Sequence, residues 1–318
     1  MELIKPSVEV WEQNNSLDSI WAHIARCTRV CYQSTHKNYC ETDEKFVKRV
    51  ILRPDSSTGE LNFDKIHGAM LEHGTVYLFF PWLDVISTRL PKIIKRYCNN
   101  PYSKENYIYD DNPGSYITTN LRVIYENGWL DDLKYLCSPT KYHAKRVTVS
   151  FTTNIGVSRE FNSHRVNSIA EEYTRYCNYS KKNYGQLKIG LPAWLLDDEH
   201  LPYLEGHVFD KVGDYASDIL SQKDDELVNT WCDMDFYLCA LTFCQWCYNM
   251  LIKKGWSAQM AREVLPLATK SQLIHTAFVD DWKHFFALRA DGVSGPPHPN
   301  AKLVAKPLKQ EFIKRNLL

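Results

Sequence analysis

The stretch that most constrains this chain runs from Val157 to Tyr184, VSREFNSHRVNSIAEEYTRYCNYSKKNY, because it mixes two residue classes in one pattern. At about 100° per residue from His164, the residues Ser168, Glu171 and Arg175 fall within one stripe. Val166, Ile169, Ala170, Tyr173 and Tyr176 fall on the opposite side. The spacing predicts a helix with one face packed and the other polar, with Arg165 and Glu172 beside the polar stripe. An imidazole, a hydroxyl, a carboxylate and a guanidinium in a row on an anchored helix can build a site for an anionic ligand. The same pattern also describes a solvated surface helix in which Glu171 and Arg175 form an ion pair worth about 0.3–0.5 kcal/mol.

Composition decides what kind of ligand to expect. The 38 basic and 38 acidic residues cancel, so no overall field draws the chain to nucleic acid or to an anionic membrane. Any anion must be held locally. A 318-residue chain with 44% hydrophobic and 13% aromatic residues can bury a sizeable core. No run approaches the ~20 apolar residues of a membrane span, and MELIKPSVEVWEQ lacks the apolar core of a signal peptide, which leads us to expect a soluble, cytoplasmic protein. The ten cysteines are then expected reduced and buried. Cys244 and Cys247 have a metal-like spacing, but with Cys232 and Cys239 they lie in a stretch that reads as a buried helix, and no metal site is expected.

Along the chain, 16–52 reads as helical, with Ser16 as N-cap and Pro54 as stop. A short helical stretch ending at Gly74, with His67 and His73 at its two ends, leads into a strand from Thr75 to Phe80. The segment 81–140 is rich in Tyr, Asn and turn dipeptides, followed by a helical stretch TTNLRVIYENGWLDDLKYLC. Alternating Val147, Val149 and Phe151 mark a strand feeding the 157–184 stretch. Two long helices follow, over YLEGHVFDKVGDYASDILSQ and over a second stretch ending at Gly255. Ser257 then caps a short helix that Pro266 interrupts.

SHRVNSIAEEYTRY resembles the signature of the flavin-dependent thymidylate synthases (the ThyX family), matching at His164, Arg165, Ser168, Glu171, Arg175 and Tyr176. It departs at Ser163, Ala170 and Tyr173, where the family has Arg, Asn and Ser. Three further blocks resemble the family in the same order: the His67 to His73 turn, Arg262 within ARxVLP, and the helix ending in Leu288-Arg289 with His284 five residues earlier. Glu160 and Phe161 stand where the family commonly has Gln-Trp. Near the C-terminus the match loosens, since Lys302 replaces a Gln after Ala301.

The resemblance implies an α+β, ThyX-like fold with a mixed sheet flanked by long helices, as a single domain over 1–318 with a loop-rich insertion at about 81–140. It implies FAD as cofactor, NADPH and methylenetetrahydrofolate as co-substrates, and a pyrimidine nucleotide as substrate. It assigns His164, Arg165, Glu171 and His284 to the flavin, His67 to the folate face, and Glu160, Tyr173, Arg175, Arg262 and Arg289 to the nucleotide, with Arg289 and Glu171 closest to the chemistry. It further implies a homotetramer with sites shared between subunits. Three readings stay open: dUMP to dTMP; a related enzyme making a 5-hydroxymethyl pyrimidine or acting on dCMP, UMP or CMP; and an inactive nucleotide-binding scaffold.

Overall fold

The computed structural model describes residues 1–31, 41–54, 57–59, 66–82, 90–175, 177–180, 187–196 and 232–318. The chain opens with β1 (Glu2–Ile4), β2 (Ser7–Trp11), α1 (Leu17–Cys31), α2 (Asp43–Val47), a 3-10 turn Gly68–His73 and β3 (Thr75–Pro81). Next come α3 (Leu90–Cys98), β4 (Lys104–Ile108), β5 (Gly114–Asn120), α4 (Leu121–Glu126), β6 (Arg146–Asn154), α5 (Ile155–Phe161) and β7 (Ser168–Glu171). The remainder supplies β8 (Lys188–Gly190), α6 (Asp233–Lys253), α7 (Ala258–Ala261), β9 (Lys270–Phe278), α8 (Val279–Phe286), a π-helical turn Ala287–Asp291 and α9 (Pro299–Lys314).

A four-stranded antiparallel sheet ordered β2-β6-β9-β7 forms the centre. Its longest ladder pairs all nine residues of β6 with β9, from Arg146↔Phe278 to Asn154↔Lys270. Alternation sends Val147, Val149 and Phe151 to one face, where they pack with Trp282, Phe285 and Phe286 of α8 and with Val304, Leu308 and Phe312 of α9. The opposite face meets α1 through Ile20, Trp21, Ile24 and Cys27, which share a core with Ala170 and Ile274. The sheet is therefore covered on both sides. β3, β5 and β4 form a second antiparallel sheet, and β1 pairs with β8 in parallel, which together give the mixed α+β architecture.

Several expectations from sequence are met here. Ser16 Oγ accepts from the Ser19 amide at 3.1 Å at the start of α1, and Thr75–Pro81 and Arg146–Asn154 are strands. Others need correction. The 157–184 stretch is not one helix: α5 ends at Phe161, a turn occupies 162–167, and Ser168–Glu171 is a strand. Pairing with β9, Ser168↔Thr276 to Glu171↔Leu273, overrides the helical spacing because it satisfies the backbone in a sheet already built by β6. Tyr173 and Val166, expected on a packed face, are 47% and 66% exposed. Thr118 to Asn120, expected helical, finish β5 because they pair with Tyr77 to Thr75 of β3. The helix expected over YLEGHVFDKVGDYASDILSQ and the side chain of Tyr176 lie outside the described residues.

On the α1 face the sheet buries hydroxyls, and they are satisfied in series. His23 Nε2 lies 3.0 Å from Thr148 Oγ1, which lies 2.7 Å from Thr276 Oγ1, which lies 2.8 Å from His73 Nδ1. Burial lowers His23 to about 4 and holds His73 well below its ordinary value, so both rings are neutral at pH 7. This chain ties α1, β6, β9 and the 3-10 turn across the core. Replacing one of the two hydroxyls without changing shape, Thr148→Val, leaves His23 Nε2 without a partner and Thr276 bonded to His73 alone. The expected cost is about 1–3 kcal/mol, measured as a lowered urea midpoint; an unchanged midpoint would refute the role of the series.

Candidate active site

The site is built on the face of the sheet covered by α8. Asn154 ends β6 and caps α5, its Oδ1 accepting from the Val157 amide at 3.0 Å, so α5 turns back over the strand that precedes it. From the other end of the ladder α8 leaves β9 and closes in the π-helical turn, which stops at Gly292 with φ +74°. A Cβ at Gly292 would lie 2.7 Å from Pro297 Cδ and 2.8 Å from Gly295 O, so this turn requires glycine. The two arms meet side by side, with Phe161, Phe285 and Phe151 in mutual contact beneath them.

Arg289 lies at that meeting point. Its Nη1 donates to Glu160 Oε2 at 2.9 Å, its Nη2 to the Glu160 carbonyl at 2.9 Å and to Ser163 Oγ at 3.0 Å, and its Nε to His164 Nε2 at 3.2 Å. Because Nε2 of His164 accepts, the ring carries its proton on Nδ1. His164 is buried, and burial, followed by the nearby charges of Arg289 and His284, lowers it to about 4. Its ring stands edge-on to His284, 5.9 Å between centroids, with His284 itself exposed. Sequence reasoning listed Ser163 only as a departure from the signature; here its hydroxyl is one of the Arg289 acceptors.

Glu171 occupies the adjoining strand. Its carboxylate accepts from Asn162 Nδ2 at 2.9 Å and from Ser271 Oγ at 2.8 Å, which fixes it across the turn. Its neighbour Glu172 faces the other way, and its buried carboxylate accepts from Lys270 Nζ at 2.5 Å and from the Gln272 amide at 3.2 Å. These bonds lock β7 to β9. Asn167 donates to His275 Nδ1 at 3.0 Å, and burial lowers His275 to about 3. Asn162, Asn167, Ser271 and His275 were missed in the sequence. The i, i+4 pair Ser271 and His275 shares a strand face with Leu273, and that alternation was the available signal.

The other expected residues gather elsewhere. Arg175 is exposed and its Nε donates to Gln259 Oε1 at 2.9 Å; Gln259 lies in α7, three residues before Arg262, so these two arginines share one corner. Arg165 is exposed on the 162–167 turn. His67 is exposed at the head of the 3-10 turn, while His73, at the other end of that turn, is buried against Thr276. The Arg289 cluster stands on α5, the 162–167 turn and the π-helical turn, whereas His67 and the Arg175 corner stand on other elements.

Residues 140–314 match the model of the Thy1 family, described as thymidylate synthase complementing protein. The chain belongs to the Thy1 family. None of the curated proteins compared with it matches. Among solved structures, two of a UMP/dUMP methylase, PolB from Streptomyces cacaoi, bound with 5-Br dUMP and with 5-Br UMP, are similar at 16% identity. The similarity covers 99% of this chain and 93% and 92% of those chains, with TM-scores of 0.40 and 0.39.

Whether these residues fit the flavin that the resemblance implies can be tested on their unspent groups. Asn162 Oδ1, Asn167 Oδ1 and His275 Nε2 are buried with no partner among the described residues. Asn162 and Asn167 flank Arg165, whose guanidinium is exposed. Amide oxygens suit the N–H donors of a flavin or pyrimidine ring, and a guanidinium suits a diphosphate. The set fits.

The histidine at the centre sets a pH dependence. Unfolded, His164 takes up a proton below about 6.5; folded, it refuses it until about 4. The unfolded state therefore binds more protons in that window, and stability falls as pH drops from 6.5 towards 4. His23 and His275 act in the same direction. Urea midpoints measured from pH 7 to pH 4 should decline through that window; a flat profile would contradict neutral buried imidazoles.

Proposed function

We propose that this protein transfers a one-carbon unit from methylenetetrahydrofolate to C5 of a pyrimidine nucleotide in a flavin-dependent reaction, with dUMP converted to dTMP as the leading case. Membership of the Thy1 family supports the reaction class. The observation that carries the reading to these residues is the neutral His164, held by Arg289 beside the unspent oxygens of Asn162 and Asn167. Bound FAD, reduced by NADPH, supplies the hydride. The chain positions and polarises. His164, Arg165, His284 and Glu171 hold the flavin, Glu171 being fixed by Asn162 and Ser271. Arg289 meets the pyrimidine, Arg175 and Arg262 meet the phosphate, and Glu160 and Tyr173 border the nucleotide. His67 faces the folate, in a single domain that works as a homotetramer with shared sites in the cytoplasm.

Purified protein should be yellow, with absorbance at about 450 nm. Protein that takes up no FAD at micromolar concentration supports the inactive scaffold and removes the enzyme. Arg175→Ala should raise the nucleotide KM by about tenfold to a hundredfold while flavin affinity holds. Equal loss of both ligands would place Arg175 in a structural role.

A second reading rests on the Glu160–Arg289 pair. Four of the five N–H groups of the Arg289 guanidinium are spent on Glu160, Ser163 and His164, so a base meets Arg289 through the one N–H left on Nη1 or by displacing one of those contacts. A carboxylate at 160 also seeks a donor on the base and repels a phosphate. This favours a redirected site: another nucleotide such as dCMP, UMP or CMP, or a 5-hydroxymethyl product. On this reading Glu160→Gln combined with Ser163→Arg and Tyr173→Ser raises dUMP methylation above the starting protein. Mass spectrometry of products from dUMP, UMP, dCMP and CMP separates the readings. If the unaltered chain makes dTMP readily and the triple change only damages it, the redirected site is wrong.

A further inference from the structure

A cavity of about 480 Å³ lies at the join between the two antiparallel sheets, away from the Arg289 cluster. The end of β2, the start of β3, the start of β6 and the C-terminal residues after α9 line it, including Gln13, Thr75, Tyr77, Lys145, Arg146 and Arg315. Its size suits a small organic ligand.

Its electrostatics are unbalanced. Arg146 donates from Nη1 to the Glu72 carbonyl at 3.0 Å and to Thr75 Oγ1 at 3.3 Å, and from Nη2 to Ser168 Oγ at 3.2 Å. All three acceptors are neutral. The Glu72 carboxylate, the nearest candidate counter-ion on that turn, is taken by Arg122 at 2.5 Å. Burial lowers Arg146 to about 10, with Tyr77, Glu72 and Asp281 offsetting part of that cost. Lys145 beside it has no carboxylate partner among the described residues, whereas Arg315 is already paired with Glu12 and Glu311, each at 2.6 Å. The Nε–H of Arg146 has no partner among the described residues either, and the Tyr77 hydroxyl only accepts, from the Arg146 amide at 3.4 Å. The cavity thus offers three donor groups, the Lys145 ammonium, the Arg146 Nε–H and the Tyr77 hydroxyl, on two cations with no carboxylate in contact and one phenol.

We propose that this cavity is a second anion site that takes a small molecule bearing a phosphate or diphosphate group. Three donors match a three-oxygen anion better than the two oxygens of a carboxylate, and a dianion balances Lys145 and Arg146 together. Because Arg146 also holds Ser168 at the start of β7 and the turn that precedes β3, an occupant here is linked through Arg146 to the strand that carries Glu171.

The test is equilibrium binding of inorganic pyrophosphate to the full chain, read by calorimetry, in three proteins. Arg175→Ala impairs the phosphate end of the proposed nucleotide site and should leave pyrophosphate affinity within twofold. Lys145→Glu, a change at an exposed side chain that preserves the fold, should weaken it at least tenfold, which is about 1.4 kcal/mol. Citrate should bind at least fivefold more weakly than pyrophosphate. Loss of binding in Arg175→Ala would assign the anion to the nucleotide site and overturn the proposal. So would undiminished binding in Lys145→Glu, or no saturation by about 10 mM. None of these outcomes depends on flavin uptake, so failure here is distinct from failure of the proposed reaction.

Discussion

The nine-residue pairing of β6 with β9 is the constraint on which the rest depends. The ladder spans about 30 Å at 3.4 Å per residue. α5 leaves one end and rises about 10 Å over seven residues, and α8 with its π turn leaves the other and reaches about 16 Å by Arg289. Both run back over the same face, so they meet above its middle, where Phe151 lies under Phe161 and Phe285. Glu160 and Arg289 come together because two helices of those lengths start from opposite ends of that ladder. β7 then adds to the free edge of β9 and brings Glu171 to the same face.

How much of this was legible follows from the range of the forces involved. β6 was readable because its alternation, Val147, Val149, Phe151, is local. α1 was readable from the Ser16 cap and its apolar spacing. The 162–171 segment was not. His164, Ser168, Glu171 and Arg175 satisfy a helical wheel, yet the segment's backbone partner is β9, about a hundred residues later, and no local pattern announces that pairing. The turn-forming residues Asn162, Ser163 and Asn167 were the local hint that the helix stops at Phe161.

The candidate site divides in the same way. Residues carried by resemblance, His164, Glu171, His284 and Arg289, lie on or beside the α8 face of the sheet. The residues that hold them, Asn162, Ser163, Ser271 and, through Asn167, His275, could be named only once the strands were in register. Arg146 is a further case: read as the first residue of a strand, it ties the turn before β3 to Ser168 across the sheet.

The hydroxyl series between His23 and His73 has a consequence of its own. Three links join four groups, and the two threonine hydroxyls supply one hydrogen each. The third hydrogen must come from one imidazole, so when the His23 nitrogen facing the series donates, the His73 nitrogen facing it accepts, and the reverse. The two rings, one on α1 and one on the turn before β3, are therefore bound by a parity rule: the tautomer of one dictates that of the other, and reversing the series requires both hydroxyls to turn and each neutral ring to carry its proton on its other nitrogen.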